Sequence, residues 1–270
     1  MKTSSSLSNS LKSVFAAVVI PIEILLAIAI YLFVLGNPAN FQGSDPVNHP
    51  LPGNYLGIVY KGGFIVPILI SLLMMVLTFG IERVLTISRA KGKGNIKNFV
   101  QNIRALLSTN NLGQAIAACD HQKGSVANVV KAGLTKYGEL SKTNQIESEK
   151  KVLMIQKDIE ETTQLEMPML EKNLVIIATI ASIATLLGLL GTVLGMIKAF
   201  AALATAGAPD AVALANGISE ALINTALGIG TSALAIILYN YFTTKIDALT
   251  YGIDEASYSI IQNFTAQTKD

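Results

Sequence analysis

Four long apolar stretches constrain this chain more than any other feature. Residues Val14 to Leu35, Phe64 to Phe79, Leu174 to Ala206 and, after a more polar beginning, Ala211 to Ile246 are hydrophobic almost throughout. A helix needs roughly 20 mainly apolar residues to cross a hydrocarbon core about 30 Å thick, since its backbone polar groups must be paired within the segment. The second stretch is the shortest and draws on Gly62, Gly63 and Gly80 at its ends. The first is too long for a cleaved leader, and no small-x-small site follows a short apolar core. With 51% of residues apolar and 14% charged, the expected class is an all-α, polytopic membrane protein with four transmembrane helices.

Cations set the expected orientation. Fourteen of the 20 Lys and Arg residues lie between Ile81 and Asn173, with Arg83, Arg89, Lys91, Lys93 and Lys97 directly after the second stretch. Inner loops are enriched in such residues, so this region is expected in the cytoplasm and both termini with it. The loop "GNPANFQGSDPVNHPLPGNYLGIVY", Gly36 to Tyr60, has no Lys or Arg and is rich in Pro and Gly, so it is expected outside and irregular. The organisation then reads as 1–61, a first helix and outer loop; 62–80, a second helix; 81–173, a helical inner region; 174–246, a long hairpin; and 247–270, an inner tail. A net charge of +2 distributed in this way describes topology and gives no reason to invoke nucleic acid.

Enzyme chemistry finds little support. Cys119 is the only cysteine, so no intrachain disulfide is possible. Its neighbours Asp120 and His121 are adjacent in sequence and cannot converge with it on one helix face, which favours a small buried thiol beside a solvated pair. His49, the other histidine, lies in the outer loop, so no His-rich metal cluster arises and no cofactor is implied. "GIGTSA" from Gly228 has dinucleotide-fingerprint spacing, but it sits in an apolar helix with no strand before it.

The inner region has helical periodicity. Ile96, Phe99, Val100, Ile103, Leu106 and Leu107 recur three and four residues apart. A turn and a second short helix follow, stopping at Gly124. From about Ser141 the chain becomes a helix with interleaved acids and bases, mostly a solvated face, which Pro168 is expected to kink or break before the third apolar stretch. That third stretch, at 33 residues, would extend roughly 50 Å at about 1.5 Å per residue. Part of it must therefore tilt, project or lie against protein. "TAGAPDAV" supplies the turn into the fourth: Gly207 can end one helix, Pro209 cannot continue it, and Asp210 can cap the next.

This hairpin carries the polar residues. At about 100° per residue, Thr185 and Thr192 fall within about 20° of each other, with Gly188, Gly191 and Gly195 in the adjoining arc. Gly191 and Gly195 form a GxxxG pair, the spacing that lets helices approach closely in lipid. On the partner helix Glu220, Thr231, Asn224, Gly228, Ser232 and Thr225 share an arc of about 140°. Such a face should meet protein or water, because ionisable groups facing lipid cost about 2.5 kcal/mol or more. Lys198 and Glu220 mark the outer end of each helix and can pair. Thr192 and Thr225 lie six and five residues further in, roughly 8 to 9 Å on each side, and so share one level.

In these residues a family resemblance becomes specific. "GLLGTVLGMIKAF", then "NGISEALINTALGIGTSALAIILYN", resembles the TolQ/ExbB/MotA proton-channel family, in particular its ExbB and TolQ branch. The resemblance is densest over Gly188 to Asn240, weaker across the second span and inner region, and absent before about Gly62. It implies a multi-pass protein of the bacterial inner membrane, forming a pentamer around a central pore. It also implies a smaller ExbD- or TolR-like partner whose single transmembrane helix carries an Asp. Proton passage past that Asp would work a TonB- or TolA-like protein across the periplasm. Matched onto this chain, the proton path would use Thr192, Thr225, Glu220 and Asn240, with Thr185 adding a hydroxyl, while Gly188, Gly191, Gly195 and Gly228 would pack helices.

The chain departs from the family pattern in three places. Ala184-Thr185 stands where A-P is usual, Asn216-Gly217-Ile218 where P-G-I is usual, and an additional N-terminal span carries Pro21 and Glu23. Glu23 could titrate or contact other helices. Two other functions remain open on the residues: a secondary transporter binding substrate at Glu220 and Asn224, which would be expected to show repeats and broken helices, and a structural scaffold whose glycines only pack.

Overall fold

The computed structural model describes residues 3–143, 145–204 and 210–267, with side chains from Phe15 onward. Its helices are α1 (Thr3–Ala29), α2 (Tyr55–Tyr60), α3 (Ile65–Lys91), α4 (Ile96–Ser108), α5 (Leu112–Gln122), α6 (Gly124–Ser141), α7 (Ser148–Glu171), α8 (Leu174–Leu203) and α9 (Ala211–Gln267). The fold of the described residues is all-α, with one isolated antiparallel bridge between Phe41 and Pro50. Four stretches are long and apolar enough to cross a membrane, within Phe15–Leu35, Ile65–Ser108, Ser148–Leu203 and Ala211–Gln267. Large apolar side chains such as Leu25, Phe33, Leu186 and Leu222 face outward from them, as a hydrocarbon solvent or further protein requires.

Polar side chains start several helices. Asn95 accepts from the Lys97 N–H, Asn111 from that of Gln114, and Asp210 from those of Val212 and Ala213. Asp210 thus caps α9 as its sequence context suggests. The Gly207 and Pro209 turn before it lies outside the described residues.

The chain divides into two compact units. The first comprises Met1–Gly80 and Val175–Tyr239. The loop from Gly36 to Tyr60 is not irregular as expected. Two short 3-10 turns, Pro38–Asn40 and Gln42–Ser44, precede α2. Buried Asn40 organises them, donating to the Val34 and Leu35 carbonyls and accepting from Asn54. Lys61 donates to the Pro46 and Val47 carbonyls beside the Phe41 ring. Local side-chain hydrogen bonds supply the pairing that a hydrophobic period would otherwise signal.

The second unit comprises Ile81–Leu174 and Asn240–Asp270. Its core is built around the far half of α9, where Ile246, Leu249, Ile253, Ala256, Ile260 and Phe264 are all buried at three- and four-residue spacing. Residues expected as a tail therefore continue the helix as far as Gln267. Ile260 meets Gly133 of α6, and the Phe264 ring meets Tyr137 edge to face at 4.9 Å. The Tyr137 hydroxyl also bonds Asn263 and Gln267. The α6 helix itself has no counterpart in the sequence reading, although Val126, Val129, Val130, Leu134, Tyr137 and Leu140 are buried along it.

Pro168 does not end α7, which runs on to Glu171. The break falls at Lys172 and Asn173, where Asn173 takes a φ of 66°. Arg83, only 1% exposed, donates to the Met169 and Leu170 carbonyls and is held by Glu82. The guanidinium thus satisfies carbonyls that the end of a helix leaves open, which lets the helix finish after the proline rather than at it.

Candidate functional site in the hairpin

The site lies wholly in the first unit, where α8 and α9 run antiparallel at backbone contact. A Cβ on Gly195 would sit 2.6 Å from the Ala221 nitrogen and 2.7 Å from the Gly217 carbonyl oxygen. One on Gly228 would sit 2.6 Å from the Ala184 oxygen, one on Gly188 3.1 Å from the Gly228 Cα, and one on Gly191 would overlap the Asn224 side chain. Real Cβ contacts are not as short as those at Gly191, Gly195 and Gly228, so these three positions admit only glycine at this separation, and at Gly188 the facing backbone would have to give by a few tenths of an ångström. Ser232 adds a polar stitch, donating to the Ala181 carbonyl.

That approach brings Thr192 and Thr225 together, and their hydroxyls share a hydrogen bond. Each also has a carbonyl one turn back along its own helix, Gly188 at 3.2 Å for Thr192 and Ala221 at 3.0 Å for Thr225. A hydroxyl has one proton and two lone pairs. The two protons of the pair are taken up by carbonyls or by the other hydroxyl, so what the half-buried pair can still offer is lone pairs. It is set up to receive a hydrogen bond from water or from an acid in its protonated form.

Toward the loop end of the same hairpin Lys198 donates to both carboxylate oxygens of Glu220, at 2.6 and 2.8 Å. Glu220 is 6% exposed while the Lys198 side chain is about half exposed. Gly63, with a φ of 74°, lets the start of α3 pass so close that a Cβ there would lie 2.7 Å from Glu220 Oε1. Asn224, fully buried, holds the adjacent Gly62 carbonyl at 2.8 Å through Nδ2, and its Oδ1 has no partner. This clasp escapes the sequence reading, which puts Asn224 on the polar arc but has no signal for its distant partner beyond the Gly62-Gly63 pair.

The remaining candidates scatter. Thr185 is half-buried on α8. Asn240 belongs to the second unit, where it is exposed and its carbonyl accepts the Thr244 hydroxyl. Glu23 is buried, with its carboxyl near the Thr78 hydroxyl and Oε2 unpartnered. In the second unit Cys119 is buried, and burial pushes its thiol up to about 12, leaving it an inert core group. Neighbouring Asp120 is engaged by Lys131. Among the described residues no three His, Cys, Asp or Glu side chains gather as a metal site.

A family model for the MotA/TolQ/ExbB proton channel family matches residues 121–255, half of the chain, from within α5 well into α9. The Tol-Pal system protein TolQ of Haemophilus influenzae is 39% identical over 94 residues, 33% of this chain and 41% of that protein. TolQ of Pseudomonas aeruginosa is 30% identical over 124 residues, 46% of this chain and 54% of that protein. The biopolymer transport protein ExbB of Helicobacter pylori is 42% identical over 81 residues, 30% of this chain and 56% of that protein. The matches span from 26% to 56% of the length of such curated relatives.

Proposed function

Because the chain belongs to the MotA/TolQ/ExbB proton channel family, we propose that it is the wall-forming subunit of an ExbB- or TolQ-like motor, converting proton-motive force into mechanical work. It is a multi-pass inner-membrane protein and not an enzyme. In the proposed assembly five copies surround a pore, both termini face the cytoplasm, and a single-span ExbD- or TolR-like subunit contributes an intramembrane Asp. The work is done on a TonB- or TolA-like protein that reaches across the periplasm.

The observation that carries this reading is the Thr192–Thr225 pair, whose hydroxyl protons are engaged within the hairpin. Threonine does not titrate, so the wall supplies hydrogen-bond acceptors while the travelling proton rides on a carboxyl from the partner. A protonated Asp can donate to this pair; an ionised one finds no free donor there and is better served by water. That difference between the two protonation states is what a proton-driven step requires, since a site that binds both states equally shifts nothing. Each proton crossing about 100 mV releases about 2.3 kcal/mol, so work against a larger load takes several passages.

Thr192→Val and Thr225→Val keep the side-chain shape and remove the hydroxyl. Each is expected to lower proton-driven output about tenfold, the effect of roughly 1.5 kcal/mol lost at one hydrogen-bonding group. The measurement is motor output in cells together with proton flux in liposomes holding both subunits. Undiminished flux in the double variant would remove the threonines from the proton path and favour a purely structural hairpin.

A further inference from the structure

We propose that the crossing of the α3 C-terminus with the α5–α6 junction is a binding site for the phosphate of an anionic phospholipid headgroup. Arg89, Lys91, Lys93 and Lys97 follow one another at the end of α3 and the start of α4, and all four are exposed. A fifth cation, exposed Lys123, is brought to them by the fold. The Lys93 N–H donates to the Gln122 carbonyl at 2.6 Å, and the Gln122 side chain donates back to the Lys91 carbonyl at 3.2 Å. Gly92, with a φ of 72°, lies so close to the Lys123 carbonyl that a Cβ would overlap it, and a Cβ on Gly124 would overlap the Ala90 carbonyl. Two glycines therefore lock the crossing, and the cations stand on rigid backbone rather than on a loose loop. Among the described residues none of the five makes an ion pair. The nearby acid Asp120 is engaged by Lys131 and Glu82 by Arg83.

A lipid, rather than a soluble anion, is the occupant because of where the cluster sits along α3. About 20 residues cross a hydrocarbon core, and the apolar run of α3 ends near Gly80, before Glu82 and Arg83. Arg89 follows about 14 Å later and Lys91 about 17 Å later at helical rise, a gap that their long side chains shorten toward the Debye length of roughly 8–10 Å. Juxtamembrane clusters of four or more cations are attracted to anionic headgroups at this range. A topology signal alone would account for Arg89 to Lys97, but not for Lys123. That residue is more than 30 positions from either flanking span, outside the window of about 15–20 residues in which cations set orientation.

Lys123→Gln is therefore the discriminating variant, with Lys123→Arg as the charge-keeping control. The full-length protein in nonionic detergent would be titrated with phosphatidylglycerol and, separately, with phosphatidylethanolamine of the same chain length, and bound lipid counted by native mass spectrometry. Phosphatidylglycerol is expected to bind more tightly than phosphatidylethanolamine. Lys123→Gln should weaken it about fivefold, the effect of one cation near an anionic surface, and Lys123→Arg should leave it unchanged. The elution volume and helical circular dichroism of both variants should match the unaltered chain, since the side chain is exposed. Equal binding of the two lipids, or undiminished phosphatidylglycerol binding in Lys123→Gln, would overturn the proposal. Displacement of phosphatidylglycerol by inorganic phosphate would also overturn it, by assigning the site to a soluble anion.

Discussion

One methyl group at Gly195 is enough to force α8 and α9 apart, because it would stand 2.6 Å from a backbone nitrogen that cannot rotate away. Glycine costs a helix about 0.5–1 kcal/mol relative to alanine; here that cost is offset by the approach that lets Thr192 meet Thr225. Gly230 on α9 has nothing within 4 Å of a Cβ. Gly195→Val is expected to lose about 2–3 kcal/mol by overpacking and to separate the threonines, whereas Gly230→Ala should be neutral or gain up to about 1 kcal/mol. Thermal unfolding in detergent compares them, and equal loss in both would mean that helix propensity rather than close approach governs these sites. Helical period puts Gly228, and not Gly230, on the face shared with Glu220 and Asn224; how closely each glycine meets backbone is decided only when the other helix is in place.

α9 is a single helix whose two halves obey different rules. Its first half presents small and polar residues to α8, and its second half presents Ile246, Leu249, Ile253, Ala256, Ile260 and Phe264 to the core of the second unit. The apolar stretch expected as the span ends at Ile246, although the helical period does not stop there. Ile253, 1% exposed, is the centre of that second stripe. Ile253→Ala should destabilise the second unit by about 2–5 kcal/mol, through lost burial and a cavity. Denaturant unfolding followed by protease nicking between Ile81 and Leu174 would report it. An unchanged midpoint would show that the far half of α9 contributes nothing to that core. α7 teaches the converse lesson: Pro168 suggests a helix end, yet Arg83 stabilises carbonyls beyond it, and a contact 86 and 87 residues apart in sequence leaves no local trace.

For the whole molecule, the outward apolar faces of α1, α8 and α9 require a low-dielectric surrounding of lipid or other subunits. The proposed function divides that surface between the two and predicts a definite stoichiometry. Native mass spectrometry of the protein co-expressed with its single-span partner should find five copies of this chain, whereas a monomer that transports solute alone in liposomes would contradict the assembly. Much of this was legible beforehand. Apolar run length marked four stretches long enough to cross a membrane, and the spacing of glycine, threonine and glutamate on two helices located the hairpin, because helical periodicity and the cost of burying polar groups act locally. Tertiary structure alone decided which groups are engaged. It joined Asn224 to Gly62, ended α7 with Arg83, organised the outer loop around Asn40, and carried Lys123 to Lys91 and Lys93. Apart from the local bonds of Asn40, each of these rests on a hydrogen bond or backbone contact between residues far apart in the chain. The partner of such a contact is set by how helices cross, and no period or motif within a single segment encodes it.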